Sequence, residues 1–184
     1  MDTVRYFKTI SKARLKDLRQ TGDASVGLQQ VQHEVAVEAG YRSWGALLST
    51  DEFDRQLAVA MHREPQLNVN GFGAGMYSRS AQERREQFTM WRAQLRGSSA
   101  RVDEIREWLV HHVDARQTVN TNAGSYHLKY LAEEDLGSYV SNGELIAAAI
   151  IAGYSYRREG SGSPNATFGM SARSITELRR RLRG

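Results

Sequence analysis

The chain has 184 residues, enough for one domain or two small ones, and its 40% hydrophobic and 25% charged residues suit a folded chain rather than a disordered one. It contains no cysteine, which excludes a disulfide framework, a thiolate metal site and a cysteine nucleophile, and it has no apolar run near the length of a membrane span. The net charge is +4, and the basic charge is concentrated late in the chain. From Arg157 onward Arg157, Arg158, Arg173, Arg179, Arg180, Arg181 and Arg183 face only Glu159 and Glu177.

The opening Met1-Asp2-Thr3-Val4-Arg5-Tyr6-Phe7 lacks the basic-then-apolar layout of a signal peptide, so a cytoplasmic location is expected. Residues 1–10 show no clear period and suggest a short arm or strand around Tyr6-Phe7. Ser11 is the expected cap of a first helix reaching Thr21, with Leu15 and Leu18 inward and Gly22 ending it. A second helix starts near Ser25, carries Leu28, Val31 and Val35 on one face and stops at Gly40. Ser43 opens a short turn with Trp44, Leu47 and Leu48. Ser49 and Glu52 then form a capping box for a helix with Phe53, Leu57 and Met61, ended by Pro65.

Within residues 12–48, Leu15-Lys16-Asp17-Leu18-Arg19, Leu28-Gln29-Gln30-Val31, Glu34-Val35-Ala36 and Gly40-Tyr41-Arg42-Ser43-Trp44-Gly45-Ala46-Leu47 carry a resemblance. The segment is similar to the small helical glyoxalase-related module that accompanies some glyoxalase-superfamily proteins. The resemblance implies a local helical fold. That module carries no catalytic residues, so it implies no activity.

Residues 65–79 hold three glycines in five positions and two asparagines, and predict a linker. Ser80 with Glu83 opens a helix ending at Gly97, with Phe88, Trp91 and Leu95 on one side. The next starts at Ser98 or Ser99, turns Val102, Ile105 and Leu109 inward with Trp108 flanking, and frays around His111-His112-Val113. Residues 118–124 predict a loop, and residues 125–136 an amphipathic helix with Leu128, Leu131 and Ala132 inward. After a turn at residues 137–140, Ser141 and Glu144 form a capping box for a helix apolar on every face, closed by Gly153. It is too short to cross a bilayer and is therefore expected to be buried by protein. Residues 154–158 and 166–170 predict two strands joined by a Gly/Ser/Pro loop, and a last helix runs from Ser171 or Ser174 to Arg183 on Ile175, Leu178 and Leu182.

Helix, turn, capped helix and hairpin is the order of a winged helix-turn-helix. The expected fold is therefore mainly α: a helical lobe over 1–64, a glycine-rich linker over 65–79, and a helical domain over 80–184 with a winged-helix-like region at 122–184. A recognition helix keeps a polar face for base edges, and here only the first turn offers one.

Each motif also has an ordinary structural reading. Gly71-Phe72-Gly73-Ala74-Gly75 has the composition of a phosphate cradle, but no strand–helix context and no lysine of a Walker loop, so linker is the better reading. His33-Glu34 lacks the second histidine of a zinc helix, adjacent His111-His112 diverge on a helix, and His62 and His127 are isolated; no metal is expected. No serine lies in a Gly-x-Ser-x-Gly elbow. The terminal arginines suit a helix C-terminus through the helix dipole alone. The chain thus reads as a non-enzymatic DNA-binding protein without cofactor, of transcriptional or mobile-element regulator type, acting on duplex DNA alone or as a homodimer. The alternative is a protein-interaction module. The expected contacts are Lys129, Ser141, Asn142, Arg157, Arg158, Arg173, Arg179, Arg180 and Arg181.

Overall fold

The computed structural model describes residues 2–21, 25–73, 80–160 and 162–184, and the chain divides into two compact units, Met1–Arg63 and Glu64–Gly184. The fold is mainly helical, with two small antiparallel hairpins among the described residues. None of the described helices is long and apolar enough to cross a membrane.

The first unit consists of α1 (Thr3–Gln20), α2 (Leu28–Glu38), α3 (Trp44–Ser49) and α4 (Glu52–Arg63). Phe7, Val31, Val35, Ala36, Tyr41, Leu47, Ala58 and Val59 form its core. Residues 3–10 are therefore helix and not an arm. The N-cap of α1 is Asp2, whose carboxylate accepts the Arg5 N–H at 2.8 Å. Ser11, expected as that cap, lies buried in mid-helix and donates to the Phe7 carbonyl at 2.8 Å. Ser43 caps α3 as expected, accepting the Ala46 N–H at 3.1 Å. At α4 Asp51 replaces Ser49 as the cap, accepting the Asp54 N–H at 2.8 Å, while Ser49 donates back to the Ala46 carbonyl. Gly22, the expected stop of α1, lies outside the described residues.

The second unit contains β1 (Leu67–Asn68), β2 (Gly71–Phe72), α5 (Ala81–Gly97), α6 (Ser99–His112), α7 (Ser125–Leu136), α8 (Asn142–Ile151), β3 (Tyr156–Arg158), β4 (Ala166–Phe168) and α9 (Ala172–Arg183). α8 is its centre. The reciprocal Ser141–Glu144 capping box is present, and the chain leaves through Gly153 at φ 85°. Residues 142 to 149 of this helix are all buried, against α6, α7 and both strands of the first hairpin. Complete burial of Leu145 and Ile146 stabilises the unit by about 1.5–3 kcal/mol each.

Residues 65–73, expected as the first part of a linker, instead build the β1–β2 hairpin, with Leu67 and Phe72 in the core. Asn68 organises it. Its amide donates to the Gln66 and Gly73 carbonyls, and its side-chain oxygen accepts the Asn70 N–H at 2.9 Å. The hairpin turn covers the start of α8, where the Gly143 N–H donates to the Val69 carbonyl at 2.9 Å. A Cβ on Gly143 would overlap the Asn68 carbonyl oxygen and lie 2.7 Å from the Val69 carbonyl carbon, so only glycine admits this approach. Residues 74–79, the rest of the expected linker, lie outside the described residues.

Candidate nucleic-acid interface

The second hairpin pairs Tyr156 with Phe168, Arg157 with Thr167 and Arg158 with Ala166. All of β4 is buried, while Arg157 and Arg158 on β3 are exposed. Arg158 lies against the Phe72 ring, its guanidinium carbon 4.4 Å from the centroid. A cation stacked in this way keeps its outer N–H groups for an anion.

α9 is strongly amphipathic. Ile175 and Leu178 are buried on one side, and Ser171 caps the helix through the Ser174 N–H. Its arginines divide into two groups. Arg173 is paired with Glu177 at 2.9 Å, and Arg181 with Asp135 at 2.5 Å. Among the described residues Arg157, Arg158, Arg180 and Arg183 make no ion pair. Arg179, with Arg180, Arg183 and Thr176, lines a shallow depression, and its buried Nε has no hydrogen-bond partner. Partial burial, together with the nearby Arg179 charge, lowers the pKa of His127 on the first turn of α7. α9 packs against α7, joined to it by the Arg181–Asp135 pair.

Asp135 ties this region together. Its carboxylate accepts from Trp108 Nε1 at 2.7 Å and pairs with Arg181, while His112 Nε2 lies 3.4 Å away. His112 is held below its ordinary pKa by burial and by the Arg181 charge, against the opposing pull of Asp135.

Three of the expected contact residues need correction. Ser141 is buried and its hydroxyl serves the α8 cap. Asn142 is only 7% exposed, and its amide donates to acceptors from Asn70, Pro164 and Asn165 rather than pointing to solvent. Lys129 is 6% exposed, with its ammonium bound to Glu133 at 2.9 Å and to the Val140 carbonyl at 3.2 Å. In each case a polar group assigned to the surface is used within the fold. Of the other six, Arg157, Arg158, Arg173, Arg180 and Arg181 are exposed and Arg179 is half-buried.

In the described part of the glycine-rich segment two backbone N–H groups already have acceptors. The Phe72 N–H donates to the Pro164 carbonyl and the Gly73 N–H to the Gln66 carbonyl, both at 2.9 Å. Among the described residues no three His, Asp or Glu side chains gather as a metal site would need.

Sequence reading missed an exposed group of tyrosines on α7 and the turn after it. Tyr126, Tyr130 and Tyr139 are 54%, 46% and 74% exposed and surround the Lys129 ammonium. The spacing of Tyr126 and Tyr130, one helical turn apart with Lys129 between, was the available signal.

Compared with protein-family models, curated proteins and solved structures, the chain matches none, so the likeness of residues 12–48 to the glyoxalase-related module rests on those residues alone.

Proposed function

We propose that the second unit is a non-enzymatic DNA-binding module that holds the phosphate backbone with arginines from β3 and α9. The observation that carries this reading is the set of exposed arginines without ion pairs: Arg157 and Arg158 on β3, and Arg180 and Arg183 on α9. Arginine presents several N–H donors in a rigid fork suited to phosphate oxygens. In this reading the β3–β4 hairpin acts as the wing of a winged helix-turn-helix, making backbone contacts that give affinity with little sequence choice. The buried α8 supports the binding surface and does not read bases. A regulatory role on DNA, in transcription or in a mobile element, fits such sequence-tolerant binding.

The test is the salt dependence of binding to duplexes of several sequences. Replacing both Arg157 and Arg158 by alanine should weaken all duplexes alike and flatten the salt slope by up to about two phosphate equivalents. Arg180→Ala with Arg183→Ala should do the same. A folded protein lacking all four arginines that binds as tightly as wild type at every salt concentration overturns the arginine contacts, and a wild type that binds no DNA leaves protein interaction as the surviving role.

A further inference from the structure

We propose that Tyr126, Tyr130 and Tyr139 form a platform on which unpaired bases stack, so that the nucleic acid this unit prefers is single-stranded. The inference rests on the DNA-binding reading above and specifies its substrate class.

The three phenols are large apolar groups at the surface, yet they are ordered. The Tyr126 and Tyr130 rings meet edge to face at 5.1 Å, and the Tyr130 hydroxyl donates to the Tyr126 hydroxyl at 2.8 Å. The Lys129 ammonium lies 4.1 Å from the Tyr130 ring centre and 5.1 Å from that of Tyr139. That ammonium is itself fixed, because Glu133 and the Val140 carbonyl hold it from the buried side. Glu133 also accepts the Val140 N–H at 3.1 Å, which pins the turn bearing Tyr139. Arg101 donates to the Ser138 and Tyr139 carbonyls at 3.0 and 2.9 Å, holding the same turn from α6. The rings are thus held by cation–π contacts, hydrogen bonds and a fixed backbone before any ligand arrives. Binding then costs little side-chain ordering.

Position identifies the occupant. α9 packs against α7, where Arg181 pairs with Asp135 at 2.5 Å, and Arg179, Arg180 and Arg183 line a depression on α9. In this proposal a strand lays its phosphates along Arg179, Arg180 and Arg183 and crosses the exposed side of α7 to reach Tyr126 and Tyr130. Aromatic faces accept any base by stacking, but only a base outside a duplex exposes its face. A duplex would meet the arginines alone. Exposed Glu134, one turn beyond Tyr130, is a charge that opposes a phosphate.

The experiment compares the full chain binding a fluorescent oligothymidylate and a duplex, each of roughly 20 nucleotides, by anisotropy. The wild type should bind the single strand more tightly. Tyr126→Ala with Tyr130→Ala, and separately the highly exposed Tyr139→Ala, should weaken the single strand by about five- to a hundred-fold and leave the duplex unchanged. Tyr→Phe at the same sites keeps the ring and should keep the affinity. Glu134→Gln should tighten both. Equal affinity for the two nucleic acids, or alanine variants that lose neither or both in proportion, overturns the platform while leaving the arginine reading intact. Failure of the wild type to bind either nucleic acid overturns both. A change of oligomeric state in the tyrosine variants, seen by sedimentation, would give the patch to a second copy of the chain and overturn the stacking role.

Discussion

Gly143→Ala tests the contact that joins the first hairpin to the central helix. In an ordinary helix this change is stabilising, by up to about 1 kcal/mol, because alanine has the higher helix propensity. Here the new methyl would overlap the Asn68 carbonyl oxygen and crowd Val69 at 2.7 Å. Both obstacles are backbone, so no side-chain rotation relieves them. Overpacking of this kind costs about 1–3 kcal/mol. Displacing the hairpin also breaks the bond from the Gly143 N–H to the Val69 carbonyl and disturbs the Asn142 amide, for about another 1–2 kcal/mol. The net loss should be about 2–4 kcal/mol, a large share of the ~5–15 kcal/mol that holds a typical domain together. Thermal and urea denaturation followed by circular dichroism should show a Tm lower by on the order of 10 °C. Gly97→Ala is the matched control, since a Cβ there meets nothing within 4 Å, and it should be neutral or slightly stabilising. Val69→Ala should not rescue Gly143→Ala, because its carbonyl remains. A Gly143→Ala protein as stable as wild type would refute the close approach.

Ala148 is fully buried on α8, so Ala148→Glu places an unpaired charge in the core and should unfold the second unit; Ile150, only half-buried, should tolerate aspartate better. Equal melting of Ala148→Glu and wild type would remove α8 from the core. On the acid side, His112 and His127 both sit below the ordinary value of 6.5. The unfolded chain then binds more protons, so their stabilisation is full above that value and is lost as pH falls through it. His112→Gln should flatten the acid slope of the urea midpoint, and an unchanged slope would count against the assigned burial. On the alkaline side, burial and the Asp114 charge push the Tyr154 phenol from 10.0 up to about 12. Unfolded tyrosine ionises first, so stability is full below about 10 and falls as pH rises toward 12. Tyr154→Phe should remove that fall and cost about 1 kcal/mol at neutral pH, since the hydroxyl reaches the Leu109 and Val113 carbonyls at 3.0 and 2.5 Å. Retention of the full alkaline slope in Tyr154→Phe would assign it to another group.

Elements with local signals were legible. The Ser141–Glu144 box, Gly153 and the second hairpin all follow from residues within a few positions of one another, and the structure has them. α1 was half-legible because Ser11 resembles a cap, whereas its hydroxyl is satisfied by the carbonyl one turn back and sits in the core. The first hairpin was not legible. Asparagine and glycine mark loops in general, and only the distant Gly143 makes room for this one against a helix. The same limit applies to the site. Arg157 and Arg158 are where a hairpin would put them. Asn142 has a partner 72 residues away, which no local pattern announces, whereas the i,i+4 pairing of Lys129 with Glu133 was open to sequence reading.

The distance between Asn70 and Asn142, 72 residues along the chain, has a consequence for biosynthesis. At roughly 5–20 residues per second, the ribosome releases the first hairpin about 4–14 s before the helix that it covers. During that interval Leu67 and Phe72 have no α8 to pack against, and Phe72 waits longer still for the Pro164 carbonyl. The first unit closes over much shorter loops and is complete by Arg63. Nascent chains arrested between about residues 80 and 140 should therefore carry a protease-resistant first unit followed by an apolar, chaperone-binding hairpin.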